Sequence, residues 1–221
     1  MSDGVPMPRP FEAALAELSE RHRDEVLTAF AALEHAAEPV HEAQLLALRD
    51  ATLRRSLQTL LRLLGRTLVA AGTNLWTSGY RDDVTTALTG EGWHPLPVAD
   101  RAVLVLVLVH SVAIPRSQGA LAGDSWTSAH PTSVEELTRY SLLPRTEVRA
   151  ALARLRAAGL VQLVIERGRG PGATYVPGPQ LHRLTPAARR RLQEELVLAA
   201  GPDTPLAAAI RARRTRHEEE S

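Results

Sequence analysis

Residues Arg145–Val161 read RTEVRAALARLRAAGLV, and the reading of this run decides what the chain can be. Val148, Leu152 and Leu155 recur at steps of four and three, with Ala151 beside them, which is the inward stripe of an amphipathic helix. Arg145, Thr146, Arg149, Ala153 and Arg156 are left outward or at the flanks. Ala150 and Ala153 are small and let that surface approach another body closely, and Gly159 stops the helix. The pattern suits a helix that enters a DNA groove, or one that packs on another protein.

The flanks give it a context. Upstream, TSVEELTRYS opens with a capping box, Ser133 with Glu136 or, in the other register, Thr132 with Glu135. That short helix ends near Ser141, and Leu137 faces the same core as the Val148 stripe. Pro144 suits the first turn of the next helix, where a missing N–H does no harm. Downstream, Val161, Leu163 and Ile165 alternate as a strand does. A glycine-rich tip, RGRGPGA, carries Arg167 and Arg169 before a returning strand. LTPAARRRLQEELVLAAG then gives a last helix, with Thr185 as cap, Pro186 at its first position and Gly201 as stop. Before all of this, ADRAVLVLVLVHSVAI predicts a helix buried nearly all round, with Asp100 as a candidate cap. A loop rich in Gly, Ser and Pro follows it.

Helix, short helix, turn, helix and a two-stranded wing, in that order, resemble the winged helix-turn-helix superfamily. EELTRYSLLPRTEVRAALARLRAAGLV is similar to the core shared by MarR-, GntR- and PadR-like bacterial regulators, and RLTPAARRRLQEEL to the wing exit and next helix of MarR-like proteins. The resemblance covers roughly residues 97–200. It implies a recognition helix at about 144–158 lying in the major groove, and a wing at about 161–184 touching the backbone or minor groove. Carried onto this sequence, it makes Arg145, Thr146, Arg149 and Arg156 candidate DNA contacts on the helix, and Arg167 and Arg169 candidate contacts on the wing. The chain departs from the pattern at Thr138, at Leu142 in place of the turn glycine, at Pro144 in place of a serine cap, and at Glu147.

The first 94 residues carry no such resemblance. Phe11, Leu15, Leu18, His22, Val26, Phe30 and Leu33 share a stripe over residues 10–38, which Pro39 ends. Leu46, Leu53, Leu57, Leu60, Leu64 and Leu68 share another over 41–71, which Gly72 ends. Two long helices with a short connection predict an antiparallel helical hairpin. Leucines off the second stripe, namely Leu45, Leu48, Leu61 and Leu63, suggest dimerisation through it. Residues 73–97 read as loops around a short helix near Asp82–Leu88, and Trp76, Tyr80 and Trp93 are candidates for walling a small-molecule pocket.

Charge is unevenly spread. Nine Arg face thirteen acids in residues 1–94, net −4, whereas thirteen Arg face eight acids in residues 95–200, net +5. The whole chain is +1, so the asymmetry and not the total points to a polyanionic partner for the later part. Cysteine is absent, which excludes disulfides, a Cys-based zinc site and a thiol nucleophile. No His/carboxylate ligand spacing, nucleophile elbow or phosphate-cradling loop occurs, so no enzyme, metal site or cofactor is expected. The N-terminus lacks a secretory pattern, and the longest apolar run, Ala102–Val109, is far short of the ~20 residues a membrane helix needs.

The sequence therefore predicts a mainly α protein. A helical hairpin or bundle (1–94) for dimerisation or partner binding precedes a winged helix-turn-helix domain with a two-stranded wing (95–200) and a helical or disordered charged tail (201–221). The expected function is a cytoplasmic, homodimeric transcriptional regulator bound to double-stranded DNA. The alternative is a winged-helix adaptor on a protein partner in a chromosome-organising, replication or defence complex, suggested by Pro144, Glu147, the leucine surface and the near-neutral total charge.

Overall fold

The structure, a computed structural model, describes residues 10–91, 96–121, 126, 128–164, 172–200, 203 and 205–219. It is mostly helical, with two small three-stranded antiparallel sheets, and it divides into two compact units. Unit 1 is Met1–Gly92 with His182–Thr185, and unit 2 is Trp93–Leu181 with Pro186–Ser221.

Unit 1 departs from the expected helical hairpin. After α1 (Pro10–Leu15), helix α2 (Glu20–His35) starts at Ser19, whose hydroxyl accepts from the His22 N–H. Strand β1 (Val40–His41) and a 3₁₀ turn (Glu42–Gln44) lead into α3 (Leu46–Arg49). The long second helix of the sequence reading is thus three pieces. Asp50 breaks it, because its carboxylate accepts from the N–H groups of Thr52 and Leu53 and so caps a new helix, α4 (Ala51–Leu63). Residues expected to continue that helix instead form β2 (Arg66–Gly72), paired with β3 (Leu75–Tyr80). TNLWTSGY, expected to be loop, is the turn and second strand of this hairpin, and Asn74 supplies the positive φ of the turn. The sheet order is β1-β3-β2, with Val40 opposite Trp76. Helix α5 (Asp82–Gly90) follows where a short helix was expected.

Leu33, Leu48, Leu57, Leu60 and Leu61 are fully buried in the unit 1 core. Burial of Leu45, Leu48 and Leu61 absorbs most of the leucine surplus that suggested a dimer surface; Leu63 stays exposed. The core is completed from far along the chain. The Arg183 guanidinium donates to the carbonyls of Leu33, Glu34 and Ala36 at 2.9–3.1 Å, and to Ser78 Oγ at 2.8 Å. It thereby satisfies carbonyls that the C-terminus of α2 leaves without helical partners. Burial, and then the neighbouring Arg66, lower the Arg183 pKa. Gly79 makes room for this segment, since a Cβ there would lie 2.1 Å from the Arg183 carbonyl oxygen. Thr185 donates its hydroxyl to Asp82 at 2.8 Å.

Unit 2 follows the expected order closely and adds a third strand. Helix α6 (Val98–Leu108) continues through a π-helical turn (Val109–Ala113) into α7 (Ile114–Ser117). This 20-residue run is apolar and long enough to cross a membrane by length and composition, yet Val103 and Val107 lie in the unit's own core. Asp100 is not its cap. It is buried inside the first turn, and Arg154 grips it through Nη2 (2.6 Å) and Nε (2.9 Å). The carboxylate raises the Arg154 pKa. The π turn puts the Ser111 carbonyl within reach of the Ser128 hydroxyl, and Ser111 Oγ meets Thr132 Oγ1 at 3.0 Å.

Strand β4 (Thr132–Ser133) was not anticipated. Helix α8 (Val134–Ser141) carries the Ser133–Glu136 capping box, which decides between the two registers. Helix α9 (Arg145–Ala157) buries Val148, Ala151, Leu152 and Leu155, as its stripe predicted. Pro144 is its N-cap, and Gly159 at φ +68° reverses the chain. Strands β5 (Val161–Val164) and β6 (Thr174–Pro177) give a sheet of order β4-β6-β5. A 3₁₀ turn (Pro179–Arg183) and α10 (Pro186–Ala200) come next. Arg189 on α10 is buried. The tail forms α11 (Pro205–Glu219), whose Arg213 and Arg214 pair with Glu194 and Glu195 on α10.

Candidate functional site

The two units share one plan: helix, short strand, helix, helix, and a strand pair whose second strand is central. This winged-helix-like order makes α4 and α9 equivalent. Their buried residues have the same spacing, Leu53, Leu57 and Leu60 against Val148, Leu152 and Leu155. Arg54 therefore corresponds to Arg149. The sheets correspond as well: Trp76 lies opposite Val40, and Tyr175 opposite Thr132.

On α9 the candidate contacts are all exposed. At about 100° per residue, Arg145, Arg149 and Arg156 fall within one narrow stripe, and Thr146 flanks it. Arg154 falls on the opposite side and is used internally by Asp100. Glu147 lies on the Arg154 side of the helix, away from the arginine stripe, and its charge helps raise the Arg154 pKa. Among the described residues no hydrogen bond or ion pair engages the guanidinium groups of Arg145, Arg149 or Arg156. Arg167 and Arg169 lie outside the described residues.

Arg145 and Arg149 form one wall of a cleft of about 530 Å³. Ser133, Val134 and Glu135, at the start of α8, also line it, with Gly172, Ala173 and Tyr175 from the β6 chain. Tyr175 was absent from the sequence expectations. Its signal was an aromatic at the start of the returning strand, which gains meaning only when β6 lies beside the α9 arginines.

The turn between α8 and α9 carries an apolar point. Leu142 caps α8 in the left-handed region (φ 57°) and is 93% exposed. Tyr140 is 55% exposed, with His110 stacked on it at 5.0 Å. A leucine in this backbone region carries a steric cost of about 1–2 kcal/mol that glycine does not.

Two of the three aromatics expected to wall a small-molecule pocket make contacts within unit 1. Trp76 donates Nε1–H to Glu42 at 3.2 Å and carries the Arg54 guanidinium 5.3 Å from its ring centroid. Tyr80 is exposed beneath Arg66. Trp93 lies outside the described residues. Among the described residues no three His, Asp or Glu side chains are grouped to hold a metal ion. Unit 2 presents guanidinium donors and a tyrosine in its cleft and an exposed leucine at its turn.

No protein-family model matches the chain, and no curated protein does. Among solved structures it is similar to ScpB from Mycobacterium tuberculosis, at 18% identity, over 75% of this chain and 95% of that one. The TM-score is 0.25.

Proposed function

We propose that this protein is a non-catalytic winged-helix adaptor, which docks on a protein partner in a chromosome-organising, replication or defence complex. The observation that carries this reading is Leu142. In a DNA-reading helix-turn-helix, the turn and the start of the second helix approach phosphates, and polar groups there are useful. Here the turn presents an almost fully exposed leucine in a strained backbone state, followed by a proline N-cap without a hydroxyl. An exposed apolar side chain held at such a cost fits a pocket on another protein.

The test is Leu142→Gly. The variant relieves the backbone and removes the apolar contact, so the adaptor reading expects a fold as stable as the parent, or more so, that no longer retains the partner. The partner is identified by co-purification of the tagged full-length chain from its host. Undiminished retention of a stoichiometric partner by the variant removes the reading.

A second reading, contact with double-stranded DNA, is favoured by the unpaired Arg145–Arg149–Arg156 stripe. It expects duplex retention that weakens steeply with salt, with a shallower slope in Arg145→Ala and Arg149→Ala.

A further inference from the structure

We infer that the cleft between α9 and the start of α8 is the seat of an acidic segment of the partner protein, with Arg145 and Arg149 receiving its carboxylates. This rests on the adaptor reading and names the chemistry of the partner. The argument comes from the other unit, where the same place in the fold is already filled.

In unit 1 the counterpart of Arg149 is Arg54, and the counterpart of Tyr175 is Trp76. The residue that directly follows the first strand, Glu42, turns its carboxylate onto Trp76 Nε1. Arg54 stacks on the same ring. An acid, an aromatic and a guanidinium thus close the site from within. In unit 2 the residue that directly follows the first strand is Val134, which is buried and has no charge to offer. The aromatic and the arginine remain, joined by Arg145 one helical turn away, and no acid stands at the position after the first strand. Glu135 lines the cleft but forms no ion pair with either arginine. Its presence leaves the named charges at two positive to one negative.

The backbone suits an extended visitor. Strand β4 is two residues long and ends at Ser133, paired with Thr174. Ala173, the next residue back along the β6 chain, therefore has no β4 residue opposite it. Arg145 and Arg149 are spaced i, i+4 on α9, about 6 Å apart along the axis. Carboxylates at alternate positions of an extended peptide are spaced by about 6.6 Å. Two acidic side chains can meet the two guanidinium groups from one side of such a segment.

The experiment uses the full-length ¹⁵N-labelled chain and three probes: a (Glu-Ala)₅ peptide, a (Lys-Ala)₅ peptide and a 20-base-pair duplex. Amide shifts are followed at 133–135, 145–149 and 173–175. The inference expects (Glu-Ala)₅ to shift these amides saturably, the effect to weaken with salt, and (Lys-Ala)₅ to leave them unmoved. Two partly exposed ion pairs predict about a tenfold weaker Kd in the Arg145→Ala/Arg149→Ala double variant. Both residues are exposed, and an unchanged spectrum elsewhere confirms the fold. No shift with (Glu-Ala)₅ overturns the inference; if Leu142-dependent partner retention persists, the adaptor reading stands without it. Shifts with the duplex alone, lost in the double variant, overturn it in favour of DNA.

Discussion

The two units are built on one plan and present opposite surfaces. In unit 1 the strands meet in a tight hairpin, and the place beside the second helix is closed by Glu42, Trp76 and Arg54. In unit 2 the same place is a cleft lined by Arg145, Arg149, Glu135 and Tyr175, and Leu142 protrudes from the turn before α9. Shared topology therefore does not carry shared chemistry. One position, Glu42 against Val134, separates a site whose aromatic is held by an acid from one where no acid stands after the first strand.

The equivalence of the cores is the part most open to a decisive blow. Leu57 and Leu152 occupy matching positions and are buried. Each change to Ala is expected to cost about 3 kcal/mol, read as a loss in denaturant midpoint. A large loss in one and none in the other breaks the correspondence between α4 and α9.

A smaller effect, confined to unit 1, is expected from Arg183→Ala. The carbonyls of Glu34 and Ala36 lose the guanidinium as donor and Leu33 keeps only the Ser78 hydroxyl, at a cost of about 2 kcal/mol. Arg183→Lys recovers only part of it, because an ammonium lacks the planar fork. Hydrogen exchange should report the change at the end of α2 and leave α9 protected.

Glu42→Ala sharpens the comparison directly. It removes the acceptor of the Trp76 indole N–H, at about 1 kcal/mol, and makes the unit 1 site resemble the open one in unit 2. Tryptophan fluorescence reports the change at Trp76. At the Leu142 turn the expected sign reverses: Leu142→Gly gains about 1 kcal/mol of stability.

The smallest expected effect is a pH dependence at the start of α8. The Ser133 backbone N–H, with further help from its hydroxyl, holds the Glu136 carboxyl below its ordinary value of 4.5 despite partial burial. Its stabilising contribution is complete above that ordinary value and is lost as pH falls through the lower, folded-state value. Thermal midpoints between about pH 5 and about pH 3 should decline less steeply in Glu136→Gln. In unit 1 the Leu53 backbone N–H, foremost, lowers the Asp50 pKa, so the start of α4 shares the sign of the effect.

Unit 2 was largely legible because its signals are local. A capping box, a 3.6-residue stripe and a terminal glycine act within a turn or two of the residues that carry them. In unit 1 the leucine stripe over residues 41–71 conceals a helix stop at Asp50 and a strand at Arg66–Gly72. Leu64 and Leu68 continue the helical period by coincidence: Leu64 is half-exposed at the helix end, and Leu68 is a strand residue packed on the core.

By itself the sequence determined the capped helices, the buried stripe of α9 and the outward placement of Arg145, Arg149 and Arg156. Each of these follows from residue type and near-neighbour spacing. Only the tertiary structure decided that unit 1 repeats the plan of unit 2, that Arg183 completes the unit 1 core, and that Tyr175 stands beside the α9 arginines. Those outcomes depend on strand pairing and on side-chain contacts such as those of Trp76 with Glu42 and Arg183 with Leu33, 34 and 150 positions apart, which no local periodicity encodes.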